Sequence, residues 1–376
     1  MIRRHVYHLA FLPILVGLGM PFLVSQTVAQ IEPPIQTRLQ KLIDSTVGQP
    51  SLPAMAAAVI KNQKRLGLAA SGLRRVDQPT NTVSEADRFH LGSCTKAMTA
   101  TMIGILVQEG KLSWDDTIGA RLPTLANDID KDYLDVTLWQ LLTHHAGVQR
   151  DGAVWINEGV NTHENRTEIV KQSLAQHPPG LPIGQFQYSN IGYLVAALIA
   201  EQVTGESYET LMQEKLFTPL KMESAGFGLP DKNDHPHHPW GHSLNNRGLV
   251  PVAMDNPPSM APAGAVHSTL DDWMKFAALH LDTAAQQHDL LAPATLRRLH
   301  QPYTNQASGY AAGWLVGERA GQTVLQHSGS NRFWFCQIEL VPQTGEAILV
   351  ACNGPLKESA QEVAAVIQTI AKWLSP

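Results

Sequence analysis

The stretch GSCTK at residues 92–96 opens a long apolar run that ends at Gly110. It reads S-x-x-K, and Ser93 is the only serine in the sequence with a lysine three positions later. Positions i and i+3 share one face of a helix, so the Ser93 hydroxyl and the Lys96 amine are predicted to touch. Residues 97–107 are apolar on nearly all sides, which predicts a buried helix and argues against a solvated lysine. A buried lysine has a lowered pKa and can take the proton of a serine hydroxyl.

Composition excludes some classes of partner. The chain has 376 residues, with 28 Lys and Arg against 33 Asp and Glu, and a net charge of −5. Without a basic excess, nucleic acid is not expected as a partner. The chain has three cysteines, and an odd number argues against a disulfide framework. Cys336 and Cys352 lie in apolar strand-like runs and are predicted to be buried thiols, and Cys94 has no spaced partner that would make it a nucleophile.

The first 29 residues are typical of a secretory signal peptide. Arg3 and Arg4 form a basic beginning, residues 9–24 are largely apolar, and cleavage is expected after Ala29. A membrane anchor is the alternative interpretation. The signal peptide is preferred because the apolar part falls short of the roughly 20 residues that a membrane span needs. The mature protein, residues 30–376, is expected in the periplasm or outside the cell, without a stable membrane span.

Strand and helix patterns divide the chain in an ordered way. Strands are predicted at both ends, within about residues 30–80 and 310–376. Helical periodicity dominates about residues 93–300, except that residues 229–267 are rich in Pro, Gly, Asn and His and show few periodic features. This order predicts an α/β fold of the α+β kind. An antiparallel sheet formed from both termini would be flanked by helices and would carry a mainly helical middle region.

Three short motifs occur in order: SCTK at 93–96, YSN at 188–190 and HSG at 327–329. S-x-x-K with a later Y-x-N and K/H-[ST]-G is the signature of serine β-lactamases and penicillin-binding proteins. The chain resembles that superfamily in its Y-x-N branch, which includes class C β-lactamases, D-Ala-D-Ala carboxypeptidases and related esterases. Longer segments resemble the family in the same order, so the resemblance covers about residues 36–372. It implies a β-lactamase/transpeptidase-like fold.

The resemblance implies roles for the first two motifs. Ser93 would attack a carbonyl carbon and become acylated, while Lys96 and Tyr188 would share its proton. Which of these two is the formal base stays open, because coupled groups titrate jointly. Asn190 would hold Lys96 or the substrate amide by hydrogen bonds.

The third motif would form the substrate-binding strand. The resemblance implies that the backbone N–H groups of Ser93 and Ser330 hold the oxyanion, with His327, Ser328 and Gly329 beside the substrate. His327 stands where K-T-G has a lysine, and histidine is only partly charged near neutral pH. This departure weakens the case for classical β-lactamase action. In the proteins that the chain resembles, the H-[ST]-G variant accompanies D-peptidase and esterase activity more than strong β-lactam hydrolysis.

Other catalytic motifs are absent from the sequence, which has no G-x-S-x-G, no H-E-x-x-H and no G-x-G-x-x-G. A second Y-x-N begins at Tyr303, but no apolar helix follows it, so Tyr188 is the preferred tyrosine. The histidines of residues 235–242 lie in a Pro-rich stretch that is interpreted as a surface loop rather than a metal site. His144 and His145 end an apolar segment and are expected to have structural roles. No metal or cofactor is expected.

Together these inferences predict an exported serine hydrolase that acts through a Ser93 acyl-enzyme on an amide or ester. The expected substrate is a D-amino-acid peptide, a small ester or, weakly, a β-lactam. The alternative is a non-catalytic peptide- or penicillin-binding sensor module with the same fold, although a pure binder needs no base beside the serine. The sequence leaves the acyl acceptor and the oligomeric state open.

Overall fold

A computed structural model describes residues 33–47, 52–151, 162–178, 180–231, 237–281, 290–304 and 309–374. The predicted signal peptide, residues 1–29, lies outside the described residues. From Pro34 onward the chain forms one compact unit. Within the described ranges, no helix is long and apolar enough to cross a membrane.

The described residues form strands and helices with the following bounds. The strands are β1 Ala54–Lys61, β2 Lys64–Gly72, β3 Arg88–His90, β4 Gly226–Phe227, β5 Gly241–Asn245, β6 Gly248–Val252, β7 Val266–Thr269, β8 Gly309–Tyr310, β9 Leu315–Arg319, β10 Gln322–Ser330, β11 Phe335–Val341 and β12 Glu346–Cys352. The α-helices are α1 Ile35–Thr46, α2 Thr95–Gln108, α3 Ile118–Arg121, α4 Leu138–Leu142, α5 Thr162–Leu174, α6 Asn190–Thr204, α7 Tyr208–Met212, α8 Ala261–Gly264, α9 Leu270–Leu279, α10 Pro293–Leu299 and α11 Leu356–Leu374.

The largest sheet has seven strands in the order β2-β1-β12-β11-β10-β9-β8, and each neighbouring pair is antiparallel. β1 and β2 come from the start of the chain, whereas β8 to β12 come from its end. The pair of β1 and β12 joins the two parts, with Met55 opposite Cys352 and Lys61 opposite Glu346. The prediction of a mixed fold with an antiparallel sheet formed from both termini is confirmed.

Helices cover both faces of this sheet, which explains the nearly continuous apolar sequence of β1. Ala56 and Ala58 face the larger core, shared with the helical region, whereas Ala57 and Val59 face a smaller core beneath α1 and α11. Successive strand residues point to opposite faces, so a strand buried on both sides shows no polar alternation. α11 is amphipathic and buries one stripe of its surface in the smaller core, as its helical spacing predicts.

Two buried helices, α2 and α6, organise the helical region and carry the first two motifs. α2 is buried along most of its length, and α6 is buried along its first three turns. One boundary differs from the prediction of a helix that starts at Ser93. The chain first forms a 3₁₀ turn over Gly92–Cys94 and becomes α-helical at Thr95. All three cysteines are free and buried, as predicted for two of them.

Residues 229–267 contain more regular structure than their composition indicated. β5 and β6 form a hairpin, β7 pairs with both β3 and β4, and α8 is a single helical turn. The expectation of a segment with few periodic elements was therefore wrong. β5, β6 and β7 have 4 or 5 residues each, too few for a period of two to stand out in the sequence.

Candidate active site

Ser93 lies in the 3₁₀ turn before α2 and faces a cavity of about 840 Å³. The preceding Gly92 has a φ of +47°, a left-handed conformation that glycine adopts most readily. A Cβ atom on Gly92 would lie 2.3 Å from the backbone nitrogen of Ser330. The turn can therefore lie against the end of β10 only because residue 92 has no side chain.

The Lys96 amine touches three oxygen atoms at the centre of the site. Its Nζ lies 3.3 Å from Ser93 Oγ, 2.7 Å from Asn190 Oδ1 and 2.6 Å from the carbonyl oxygen of Ala263. The side chain is fully buried. Burial disfavours the charged amine and lowers the pKa of Lys96 from 10.5 to about 7, although the charge of the more distant Asp151 opposes the shift.

The same three contacts determine what the neutral amine of Lys96 can do. A neutral amine has two hydrogens and one lone pair. The carbonyl oxygen of Ala263 can only accept a hydrogen bond. The same holds for Asn190 Oδ1, and the Nδ2 of that side chain donates to Asp151 Oδ1 at 2.5 Å. With both hydrogens used on these oxygens, the lone pair is left for the Ser93 hydroxyl. The arrangement therefore orients Lys96 to accept the serine proton.

Tyr188 brings a phenol to the same point from the segment before α6. Its ring centroid lies 4.9 Å from Lys96 Nζ. Burial raises the pKa of Tyr188 to about 12, and the interaction with the Ser93 side chain and the charge of Arg150 offset only part of that rise. The phenol is therefore protonated at neutral pH. This favours Lys96 as the base and Tyr188 as a proton donor.

His144 contacts the segment that carries Tyr188. The backbone N–H of Ser189 donates to His144 Nδ1 at 3.1 Å, and the ring centroids of His144 and Tyr188 are 4.3 Å apart. Burial lowers the pKa of His144 well below its ordinary value, so the ring stays neutral and keeps Nδ1 as an acceptor. Ser189 in turn caps α6, because its hydroxyl accepts the backbone N–H of Gly192 at 3.0 Å. These contacts agree with the structural role expected for His144.

The end of β10 lines the cavity beside the serine turn, with Ser328, Gly329 and Ser330. A Cβ atom on Gly329 would lie 2.9 Å from the backbone nitrogen of Ser93 and 2.0 Å from the carbonyl oxygen of Leu91. The strand and the serine turn are therefore in direct backbone contact. This contact brings the backbone nitrogens of Ser93 and Ser330 to adjoining segments of one wall, an arrangement suited to holding an oxyanion.

His327 lies on β10 and lines the cavity, but it is not a cation. Its Nε2 lies 2.8 Å from the Tyr310 hydroxyl, and its Nδ1 lies 2.7 Å from the carbonyl oxygen of Ser328. Because a carbonyl only accepts, Nδ1 carries the proton and Nε2 accepts from Tyr310. Burial, and after it the charge of Lys96, lowers the pKa of His327 to about 3. In place of the partly charged ring expected from the sequence, the site has a neutral ring whose nitrogens both contact protein atoms.

A cluster around Asp255 connects the serine turn with β10. Asp255 Oδ1 lies 2.9 Å from His90 Nε2 and accepts a hydrogen bond from Asn331 Nδ2 at 3.0 Å. His90 Nδ1 accepts the backbone N–H of Gly92 at 3.1 Å. His90 and Asn331 are both buried. This cluster could not be predicted from the sequence, because its members come from three distant segments and belong to no short motif.

Other candidates weighed from the sequence lie outside the cavity. The Tyr303 ring stacks on His145 with centroids 4.0 Å apart, which fits an ordinary structural tyrosine. Of the histidines in residues 235–242, His235 is outside the described residues. Within the part of the chain that the structure describes, no group of three or more His, Cys, Asp or Glu residues is arranged to hold a metal ion.

Comparisons with known proteins agree with this fold. The family model described as Beta-lactamase matches residues 39–372. The chain therefore belongs to the beta-lactamase family, and the resemblance to serine β-lactamases and penicillin-binding proteins is confirmed.

Individual relatives include hydrolases and a penicillin-binding protein. Unguisins hydrolase ungD' from Aspergillus campestris (strain IBT 28561) is 26% identical over 364 residues, 91% of this chain and 66% of that protein. Penicillin-binding protein 4 from Amycolatopsis lactamdurans is 26% identical over 333 residues, 85% of this chain and 86% of that protein. The D-amino acid amidase from Ochrobactrum anthropi SV3, solved with L-phenylalanine amide, is 20% identical and has a TM-score of 0.73 over 90% of this chain and 99% of that one. The chain spans just under two thirds of the fungal relative.

Proposed function

We propose that the protein is a serine hydrolase that forms an acyl-enzyme at Ser93 and transfers the acyl group to water. The observation that carries the proposal is the Lys96 amine, which is fully buried, has a pKa of about 7 and lies 3.3 Å from Ser93 Oγ. A base with this pKa is partly neutral at pH 7, which suits general-base catalysis near that pH. A lysine buried only for structural reasons would be expected to have a carboxylate partner.

Acylation would begin when neutral Lys96 accepts the Ser93 hydroxyl proton as Oγ forms a bond to the substrate carbonyl carbon. The carbonyl π electrons move to oxygen, where the backbone N–H groups of Ser93 and Ser330 hold the oxyanion. Such a donor contributes about 3 kcal/mol in the transition state. As the tetrahedral intermediate collapses, the leaving amine or alcohol receives the proton from Lys96. The protonated Tyr188 hydroxyl is suited to relay it.

Deacylation would repeat these roles with water as the nucleophile. Neutral Lys96 accepts a proton from the water as its oxygen attacks the acyl carbon, and the same two N–H groups hold the second oxyanion. Cleavage of the bond to Ser93 Oγ returns the proton to the serine and releases a carboxylic acid. Enzyme and base are then in their starting states.

The proposed substrates are a D-amino-acid peptide, a small ester or, weakly, a β-lactam. Membership of the family and the hydrolases among the relatives support amide or ester hydrolysis in general. The neutral His327 offers no fixed charge to a substrate carboxylate, which supports weak action on β-lactams. A peptide carboxylate would have to meet another cation of the cavity, such as Arg332.

We also propose that the protein is exported, because residues 1–29 have the pattern of a signal peptide. Protein recovered from the periplasm or medium of expressing cells should begin at residue 30. Protein that keeps Met1 and fractionates with the cytosol would contradict export without affecting the proposed chemistry.

Covalent labelling combined with turnover tests the proposed chemistry. Wild type should gain a single mass adduct on Ser93 with a fluorophosphonate, should hydrolyse at least one of a p-nitrophenyl ester, nitrocefin and a D-Ala peptide, and should lose both properties in Ser93→Ala. Cys94→Ala is the matched control, because it removes the neighbouring buried thiol and should leave labelling intact. A penicillin adduct without turnover of any substrate would indicate the sensor module instead. If wild type shows no adduct and no turnover, the hydrolase is rejected.

A further inference from the structure

The exposed large apolar side chains are distributed unevenly over the surface. Among the described residues, those more than a third exposed are Phe186, Leu244, Val250, Met254, Leu315 and Leu356. Half of them line the active-site cavity, with exposed fractions of 53% for Phe186, 45% for Leu315 and 44% for Leu356. Single exposed apolar residues are ordinary, whereas a cluster at a cavity with polar groups at its centre indicates a surface that a ligand covers.

Phe186 and Leu315 belong to one apolar wall, defined as Phe186, Tyr310 and Leu315. The ring centroids of Phe186 and Tyr310 are 5.8 Å apart, and Tyr310 pairs with Leu315 in the register of β8 and β9. The Tyr310 hydroxyl is engaged with His327 Nε2 at 2.8 Å, so the wall presents mainly ring and aliphatic carbon. Leu315 pairs in turn with Gln326, which places the apolar wall beside the substrate-binding strand β10.

We propose that the apolar wall binds an alkyl or aromatic group of the substrate, so the preferred esters or amides carry an apolar chain longer than acetyl. The inference rests on the proposed function, because it concerns the same cavity. Each methylene group that such a surface buries strengthens binding about fourfold. The apolar group can belong to the acyl part or to the leaving group, and the two arms of the experiment separate these cases.

The experiment measures kcat/KM along a series of p-nitrophenyl esters from acetate to octanoate, and compares ethyl acetate with octyl acetate for the leaving group. In one of these arms, kcat/KM should rise about tenfold or more with chain length. The double variant Phe186→Ser, Leu315→Ser should lose most of that rise, measured as the ratio of kcat/KM for the longest ester to that for the shortest. The control Leu244→Ser, Val250→Ser changes side chains of similar exposure on the β5–β6 hairpin, 43% and 38%, and should keep the rise. No rise in either arm, or an equal loss in the control, would overturn the inference.

Binding without turnover separates this inference from the proposed chemistry. Calorimetry of p-nitrophenyl octanoate with Ser93→Ala should show binding that weakens when the two wall substitutions are added. If wild type gains no adduct on Ser93 and hydrolyses no substrate, that binding result would support the apolar wall and reject the hydrolase. Hydrolysis of acetate with no effect of chain length would keep the hydrolase and reject the wall.

The Asp255 cluster carries a second inference independently of the wall. One oxygen of Asp255 contacts His90, which accepts the backbone N–H of Gly92 next to the serine, and also contacts Asn331, which follows Ser330. One carboxylate thus ties together the two segments that carry the proposed oxyanion donors. We infer that Asp255 is a positioning residue that holds these two backbone amides at a fixed separation.

The test compares an oxygen ester with the matching thionoester, because sulfur fits a site built for an oxyanion poorly. Asp255→Ala should lower kcat for the oxygen ester about tenfold or more, change KM less and shrink the rate ratio of the two substrates. Asp255→Asn keeps an acceptor oxygen and should restore part of the ratio. His242→Ala is the control, because His242 is a buried ring with contacts at both nitrogens, to Asn353 O at 2.8 Å and Val76 N at 3.2 Å. An unchanged ratio in Asp255→Ala, or the same change in the control, would reject the positioning role.

Amide hydrogen exchange measures how firmly Asp255 holds the two backbone amides, and it does not depend on turnover. Asp255→Ala should speed exchange at the amides of both Ser93 and Ser330, whereas His242→Ala should leave both unchanged. Exchange that does not change at either amide would reject the tie even if the wild type proves to be catalytically inactive. Asn331→Ala, which breaks only the contact to the strand side, serves the same purpose if Asp255→Ala fails to fold.

Discussion

Two fully buried cations, Lys96 on α2 and Arg166 on α5, have opposite surroundings. Arg166 forms ion pairs with Glu201 on α6 and, at 2.9 Å, with Glu209 on α7. Within the described residues, the hydrogen-bond partners of Lys96 are the neutral oxygens of a hydroxyl, a side-chain amide and a backbone carbonyl. A buried charge is destabilising unless it is paired, so the two residues face the same problem with different partners.

The difference in partners separates a structural cation from the proposed base. The guanidinium of Arg166 pairs with two carboxylates and holds α5 against α6 and α7. The unpaired amine of Lys96 gives up its proton more easily, and its pKa falls to about 7. Burial alone therefore does not indicate catalysis, and the chemical nature of the contacting atoms does.

Replacing the base should have the largest effect. Lys96→Met keeps the approximate volume and removes the amine, so turnover of an ester and fluorophosphonate labelling of Ser93 should fall by roughly 10²–10⁴-fold. Steady-state kinetics and the labelling rate measure this loss, and an unchanged circular dichroism spectrum shows that the variant folds. Turnover close to wild type would mean that another group is the base.

Replacing the paired cation should reverse the pattern. Arg166→Met removes the buried guanidinium that pairs with Glu201, whose remaining contacts are His163 and the backbone N–H of Tyr208. It should lower the free energy of unfolding by about 3–5 kcal/mol. Urea denaturation measures the loss, while kcat per folded molecule should stay at the wild-type value. The distinction between the two cations would be wrong if Arg166→Met were as stable as wild type. It would also be wrong if Lys96→Met lost as much stability as Arg166→Met.

A carboxylate partner should make Lys96 resemble Arg166, a buried cation paired with a negative charge. In Asn190→Asp a negative charge replaces the amide that lies 2.7 Å from Nζ, which raises the pKa of Lys96. Activity at pH 7 should fall about tenfold, and the rising limb of the pH–rate profile should move to higher pH. Asn190→Leu removes the same hydrogen bond without adding charge and should not move the limb upward. A limb that stays in place in Asn190→Asp would contradict the role of charge pairing.

Stability should depend on pH through Lys96 in a defined direction. Below about pH 7 the amine is protonated in both the folded and the unfolded chain; between about 7 and 10.5 the unfolded chain keeps a proton that the folded chain has lost. Wild-type stability should therefore rise with pH in this window relative to Lys96→Met. Urea midpoints at pH 6.5 and pH 10 measure the difference between the two proteins, and a constant difference would contradict the lowered pKa.

Local signals explain how much of the fold and site could be predicted. The apolar run of β1 and the period of α11 lie within single segments, so their bounds follow from neighbouring residues. Ser93 and Lys96 also form a local motif, and Tyr188 is identified by the buried helix that follows it. The structure brings these three side chains together at one cavity.

Contacts between distant segments explain what could not be predicted. The Ala263 contact to Lys96 uses a backbone carbonyl, which carries no signal in the residue type. The neutral state of His327 depends on its burial and on Tyr310, which lies on a different strand. Asp255 reaches His90 across a separation of more than 100 residues in the sequence.

The titration of Lys96 itself is the most direct measure of the central claim. Protein labelled with ¹³C at lysine Cε, with the Lys96 resonance assigned by its loss in Lys96→Met, can be followed by NMR from pH 5 to pH 11. The structure predicts a titration near pH 7, separated from the exposed lysines. A midpoint at the ordinary value of 10.5 would contradict the claim that an unpaired buried amine serves as the base.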